Sequence, residues 1–208
     1  MAGIGTEHLD ASATAALADA YLAEDDVLRA ARARAAENGL PVLPPAAGAT
    51  LRFLAALLDA RSVVEVGTGT GVTGIWLLRG MRPDGVLTSV DPDPDYQRTA
   101  RTAYTEAGVP ANRARLIAGR PIEVLPRLTD GGYDLMSVCA DPLAYADFLR
   151  EAPRLLRDGG VVVFADPTGR GAPAMRELGQ TLLESEDFAA VLLPVGTGLL
   201  AATKRPAR

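Results

Sequence analysis

The sequence predicts an α/β protein: a doubly wound, mostly parallel seven-stranded sheet with an antiparallel C-terminal strand and extra N-terminal helices. Three observations predict it. From residue 61 onward, short β-branched runs alternate with helical stretches, the pattern of parallel strands joined by crossover helices. Residues 61–74, Arg-Ser-Val-Val-Glu-Val-Gly-Thr-Gly-Thr-Gly-Val-Thr-Gly, read as a buried strand, a glycine turn and the start of a helix. Two final β-prone runs, 189–193 and 199–203, are joined by Pro-Val-Gly-Thr-Gly and read as a hairpin.

Taken in order, residues 1–12 are expected to be a flexible leader and 13–208 a single domain, with N-terminal helices over 13–58 and an α/β core over 61–208. Helices are expected over 13–21 and 25–38, the second starting at Asp25 or Asp26 and stopping at Asn38-Gly39. Leu43-Pro44-Pro45 breaks the chain, and Pro45 suits the first turn of a helix over 46–58, with Leu51, Leu54, Leu57 and Leu58 on one face. The first strand, 62–66, leads through the glycines to a helix over 72–79. A second strand, 86–90, ends at Asp91, and a helix over 94–107 ends at Gly108. Strand 114–118 precedes a short helix over 121–128. Strand 134–139 precedes a helix over 143–156, closed by Asp158-Gly159-Gly160. Strand 161–165, a Gly-rich loop and a helix over 174–184 lead to the hairpin.

Composition narrows the function. The chain has 208 residues, 48% of them hydrophobic, enough for one sizeable core. A net charge of −5 and scattered basic residues argue against nucleic-acid binding. No apolar stretch approaches the ~20 residues of a membrane span, and no secretory pattern opens the chain, so a cytoplasmic protein is expected. The one cysteine, Cys139, excludes an intrachain disulfide. The one histidine, His8, lies in the expected leader and is a poor candidate for Ser-His chemistry.

The strand–glycine–helix stretch carries the ligand argument. Gly67, Gly69 and Gly71 let backbone pass under a ligand where a Cβ would collide, and the helix beyond offers free N–H groups. Glu65, just before the glycines, would repel a pyrophosphate but suits an ammonium or sulfonium charge. Asp91 stands where an acidic side chain takes ribose hydroxyls. A ligand with ribose, an amino group and no phosphate is S-adenosylmethionine. The stretch Gly69-Thr-Gly71-Val-Thr-Gly74 also fits G-x-G-x-x-G, so an NAD(P)-dependent oxidoreductase stays open, as does a non-catalytic cofactor-binding or scaffold protein. Glu65, Asp91, Gly119, Cys139 and Asp166 all fall at or just past strand ends and are expected to converge on one cleft.

With these residues on the page, the chain resembles a class I S-adenosylmethionine-dependent methyltransferase of Rossmann-like fold, and more narrowly the catechol/caffeoyl-CoA O-methyltransferase family, especially its compact actinobacterial members. The resemblance runs from about Leu43 to Thr203. It rests on Leu43-Pro-Pro-Ala-Ala-Gly48, the block from Val63 to Thr73, Asp91-Pro-Asp-Pro94, Glu123-Val-Leu-Pro126, Tyr133-Asp-Leu135, Leu155-Leu-Arg-Asp-Gly-Gly160 and Gly198-Leu-Leu-Ala. It implies that the Leu43 backbone, Glu65 and the Gly67-Thr68-Gly69 backbone surround the amino-acid part of the cofactor. It implies that Thr73 binds its carboxylate, that Asp91 and Pro92 lie at the ribose, and that Gly119 and Arg120 border the adenine. Arg120 departs from the family, where Asp is frequent. It would either stack on adenine or point to solvent.

The resemblance also implies where this chain departs in chemistry. Many members bind a divalent cation through an Asp after the fourth strand and an Asp-Asn pair after the fifth, with a Lys assisting deprotonation. Here the first Asp falls on Cys139, the Lys on Pro142, and the pair on Ala165-Asp166. A thiol and a methyl group do not replace hard oxygen ligands, so no metal is expected. A rebuilt site from Asp141 and Asp166 stays open beside the plainer reading of both as rim or helix-cap residues. The expectation is therefore a metal-independent O-methyltransferase of a small-molecule acceptor, with Asp141 the sole candidate base. The acceptor is expected between the N-terminal helices and the loops after strands four and five, in a homodimer.

Overall fold

The computed structural model describes residues 11–206. The leader expected over 1–12, with His8, falls outside them except for its last two residues, which already begin a helix. Three helices precede the sheet: α1 (Ala11–Tyr21), α2 (Asp26–Glu37) and α3 (Pro45–Leu57). Asp25 caps α2 by accepting from the Leu28 N–H at 3.1 Å, and Pro45 opens α3 where no N–H partner is needed.

The core alternates β1 (Ser62–Val66), α4 (Val72–Gly80), β2 (Val86–Asp91), α5 (Pro94–Glu106), β3 (Ala114–Ala118), α6 (Pro121–Val124), β4 (Tyr133–Val138), α7 (Tyr145–Leu155), β5 (Leu156–Ala165), α8 (Ala172–Glu184), β6 (Phe188–Leu193) and β7 (Leu199–Lys204). The sheet order is β3-β2-β1-β4-β5-β7-β6. Neighbouring pairs are parallel from β3 through β5, and β7 runs antiparallel to both β5 and β6. The expected closing hairpin is therefore β6–β7. Strand order reverses between β1 and β4, which opens a crevice beyond their carboxyl ends.

The central strands β1, β2 and β4 and the second half of β5 bury both faces, which is why they read as continuous apolar runs rather than alternating ones. Val63, Leu87, Leu135 and Val163 pack with α2, α3, α4 and α5 residues on one side. Val64, Met136, Val162 and Phe164 pack with α7 and α8 residues on the other.

Two elements differ from expectation. Asp158-Gly159-Gly160 does not close a helix. It lies inside β5, which starts at Leu156, directly after α7. Pairing there jumps from Tyr133↔Leu156 to Leu135↔Val161, so the glycines form a bulge. Gly159 takes φ +75°, and a Cβ on Gly160 would stand 2.9 Å from the Arg157 carbonyl oxygen. The helix expected over 121–128 is the short α6 followed by a 3₁₀ turn over Leu125–Arg127, since Pro126 brings no N–H to extend it.

Candidate active site

The glycine loop lies at the switch between β1 and β4. Gly67 takes φ +92°, donates its N–H to the Val90 carbonyl at 2.9 Å, and packs so closely that an added Cβ would stand 2.1 Å from the Cys139 carbonyl oxygen. Only glycine satisfies both constraints. Thr70 donates to the Ala31 carbonyl at 2.9 Å, tying the loop to α2. Gly71 precedes α4 in the left-handed conformation, and no side chain caps that helix, so its first-turn N–H groups are open to a ligand.

A cleft of about 80 Å³ is lined by Gly67 to Thr70, Val72, Thr73, Asp91, Cys139 and the Leu40–Pro41–Val42 segment. Asp91 is buried. Its carboxylate accepts from the Gly69 N–H at 3.1 Å and the Asp93 N–H at 3.0 Å. A carboxylate has about four acceptor sites, so two remain for a pair of hydroxyls.

Beneath the loop sits a buried polar group that the cleft does not expose. Glu65 is fully buried and accepts from the Ser89 hydroxyl at 2.5 Å through one oxygen, while the other has no partner. Ser89 also meets the Thr68 hydroxyl at 2.6 Å, and Gln97 donates to Thr68 at 2.9 Å. Burial raises the Glu65 carboxyl to about 8, against the Ser89 hydrogen bond and with help from Asp91. Glu65 is therefore largely protonated at neutral pH. A cation bound above it would favour ionisation.

Of the remaining expected cofactor residues, Leu43 puts its side chain in the core, and its neighbours 40–42 line the cleft instead. Pro92 is exposed beside Asp91. Gly119 donates to the Asp91 carbonyl at 2.9 Å, just past β3. Arg120 points to solvent, paired with Glu123 at 2.9 Å.

A second cavity, about 620 Å³, adjoins the cleft at Leu40, Pro41 and Cys139. Ala140, Asp141, Pro142 and Leu143 line it after β4, and Pro167, Thr168, Arg170 and Gly171 after β5. A further 430 Å³ at its rim is lined by Gly39, Leu40, Pro41, Pro167, Thr168 and Arg170. The loops after strands four and five thus stand where expected. Helices α1 and α2 do not line the cavity; only the segment after α2 reaches it.

The residues at the expected cation positions do not fit a hard cation. Burial pushes the Cys139 thiol up to about 12, so it stays protonated, and Ala165 offers no ligand atom. Asp166 is buried and committed to its own loop. It accepts from the Thr168 N–H at 2.9 Å, the Thr168 hydroxyl at 2.6 Å and the Gly171 N–H. Burial raises its pKa, but these bonds outweigh that and hold it below the usual carboxylate range. Asp141 is exposed and caps the 3₁₀ turn over Pro142–Ala144 by accepting from the Leu143 N–H at 3.0 Å. Asp91 and Cys139 meet in one cleft as expected. Glu65 lies beneath it, and neither Gly119 nor Asp166 lines it.

Sequence reading missed the Leu40–Val42 segment and Ser89. The segment is an unremarkable connection whose role comes only from packing over Gly69, where a Cβ would stand 2.9 Å from Leu40 Cδ2. Ser89 could have been found, because it registers opposite Glu65 in adjacent parallel strands.

Comparison with known proteins gives a consistent picture. The profile of a family described as O-methyltransferase matches residues 14–205. A protein of Mycobacteroides abscessus, provisionally named an O-methyltransferase, is 48% identical over 198 residues, covering 90% of this chain and 92% of its own. Among solved structures, cofactor-bound Rv0187 from MTB superposes with a TM-score of 0.83 at 29% identity, over 97% of this chain and 100% of that one. The O-methyltransferase TomG from Streptomyces achromogenes, involved in tomaymycin synthesis and solved in complex with SAM, gives 0.80 at 26%, over 98% and 100%.

Proposed function

The chain belongs to the O-methyltransferase family, and on that premise we propose that it methylates a phenol or carboxylic acid of a small molecule without a divalent cation. It is an S-adenosylmethionine-dependent methyltransferase; its fold and family leave no place for the dinucleotide alternative. The observation that carries the proposal is the junction of the two cavities at Cys139, where the lining supplies a protonated thiol and no pair of free carboxylates.

The cofactor supplies an electrophilic methyl on a sulfonium. The chain's residues do the rest. Asp91 would hold the two ribose hydroxyls, the open N–H groups of α4 with Thr73 would take the carboxylate, and the Gly67–Gly69 backbone would lie under the amino-acid part. Glu65 would lie beneath the loop that carries the amino-acid part, while Leu43, Pro92, Gly119 and Arg120 do not line the cleft. The mostly apolar second cavity would hold the acceptor beside the cofactor and away from water, the main demand of an in-line displacement with a good leaving group. Asp141 is, among the described residues, the only carboxylate lining that cavity, which supports reading it as the base that accepts the acceptor's proton.

A homodimer is consistent with apolar side chains left on the outer helices: Leu17 and Tyr21 on α1, Phe53 and Leu57 on α3, each pair one turn apart. No described helix is long and apolar enough to cross a membrane, and a cytoplasmic site of action is the reading that accords with it. The test is methyl transfer from labelled cofactor to a panel of phenols and acids, in EDTA and then in magnesium. Turnover should agree within about twofold. Turnover abolished by EDTA and restored by magnesium would overturn metal independence.

A further inference from the structure

Resting on the methyl-transfer reading, we propose that Arg170 selects acceptors carrying a carboxylate on an apolar body, and holds that carboxylate at the outer end of the cavity while the hydroxyl to be methylated lies at Cys139.

Charge around the cavity motivates this. Among the described residues, Arg170 is the only basic side chain lining either the 620 Å³ cavity or its rim. The arginines 29, 32, 34, 61, 79, 82, 98, 120, 150, 154 and 157 all pair with carboxylates, and Arg170 pairs with none among the described residues. Arg170 is exposed, and Asp141 is the one carboxylate that shares the cavity lining with it. A guanidinium fits a carboxylate in a bidentate way.

The loop beneath it is built rather than loose. Asp166 gathers the Thr168 N–H and hydroxyl and the Gly171 N–H, and the Thr168 hydroxyl in turn accepts from the Arg170 N–H at 3.1 Å. Thr197, from the β6–β7 turn, donates to the Asp166 carbonyl at 2.5 Å. Gly169 supplies the left-handed turn at φ +68°. A carboxylate at a family cation position is thus used to fix the segment that presents Arg170.

Cys139 lines both the cavity and the cofactor cleft, and Asp141, two residues on, repels an anion but tolerates a neutral hydroxyl. Arg170 lines the cavity and its rim but not the cleft. These two sets of residues define the two ends of the proposed acceptor site. A volume of 620 Å³ suits an acceptor of two or three rings. An apolar acid bearing a hydroxyl at the far end satisfies both ends at once.

The test uses the full chain saturated with S-adenosylhomocysteine. Hydroxynaphthoic acids and larger hydroxyaryl acids are titrated beside their own carboxamides by calorimetry. The expected result is at least one acid bound about tenfold tighter than its amide. Arg170→Gln should abolish that preference by weakening the acid alone, and Arg170→Lys should keep part of it. S-adenosylhomocysteine affinity should be unchanged in both variants, so a failure of cofactor binding in the wild type would count against the underlying reading instead. No acid bound better than its amide, or a preference that survives Arg170→Gln, overturns the assignment.

Discussion

The two halves of the crevice are built from different materials. The cofactor half, at β1 and β2, is mostly backbone: close-packed glycines and open helix N–H groups, with Asp91 held by the Gly69 and Asp93 N–H groups and Glu65 by Ser89 on the next strand. The acceptor half, at β4 and β5, is made of side chains on loops, mostly apolar, with one exposed carboxylate and one unpaired guanidinium. The first is a fixed receptor for one ligand. The second departs from the cation site that the family resemblance implies, since Cys139 and Ala165-Asp166 fall at its ligand positions and Pro142 at its lysine. A cleft can stay intact while the cavity beside it is rewritten, because the two share only Leu40, Pro41 and Cys139.

Substitutions probe that contrast, and the rigid half should respond most. Gly67→Ala forces a Cβ to within 2.1 Å of the Cys139 carbonyl oxygen at φ +92°. It should cost about 4 kcal/mol or more of folding stability, measured by urea unfolding, with loss of S-adenosylhomocysteine binding.

Glu65→Gln tests the buried carboxyl beneath the loop. Its folded pKa of about 8 lies above the ordinary carboxyl value of 4.5. Between those values the folded chain holds a proton that the unfolded chain has lost, so stability falls as pH rises and levels off above about pH 8. Removing the group should flatten that slope and raise stability at pH 9 by on the order of 3 kcal/mol relative to wild type. Unfolding curves at pH 5, 7 and 9 check it, and parallel slopes for both proteins would show that Glu65 is not the source.

Asp91→Asn keeps size but weakens acceptance from Gly69 and from ribose hydroxyls. Cofactor affinity should fall roughly 30-fold, or about 2 kcal/mol, by calorimetry. In the acceptor half the effect should be smaller. Asp141→Asn preserves the cap on Leu143 yet removes the proposed base. It should lower kcat about tenfold, roughly 1.4 kcal/mol, below the acceptor's pKa, and have no effect above it. An equal loss at every pH would mean that Asp141 only positions the loop.

Legibility in the sequence follows the same division. The alternation of strands and helices, the hairpin and the glycine loop could be read because each is a local pattern: β-branched runs, glycines where φ is positive, Asp91 at a strand end. The bulge in β5 could not, because Asp158-Gly-Gly has the composition of a helix-ending turn and only pairing with β4 makes it strand. The roof from Leu40 to Val42 was equally hidden, since three apolar residues between helices gain their role by tertiary contact with Gly69. Glu65 was found, but its burial beneath the loop depends on Ser89 one strand away. Asp141 as a cap was legible from Asp-Pro. Asp166 as the organiser of the Arg170 loop was not, because its partners lie in a turn that the sequence leaves without a pattern.

The most direct test is calorimetric titration of S-adenosylhomocysteine into the wild-type chain, in EDTA and again with magnesium, followed by an acceptor acid. A complete cleft beside a cation-free cavity predicts saturable binding of the cofactor product and of the acceptor, with affinities the same in both buffers. Binding of either that appears only with magnesium, or no cofactor binding at all, would contradict it.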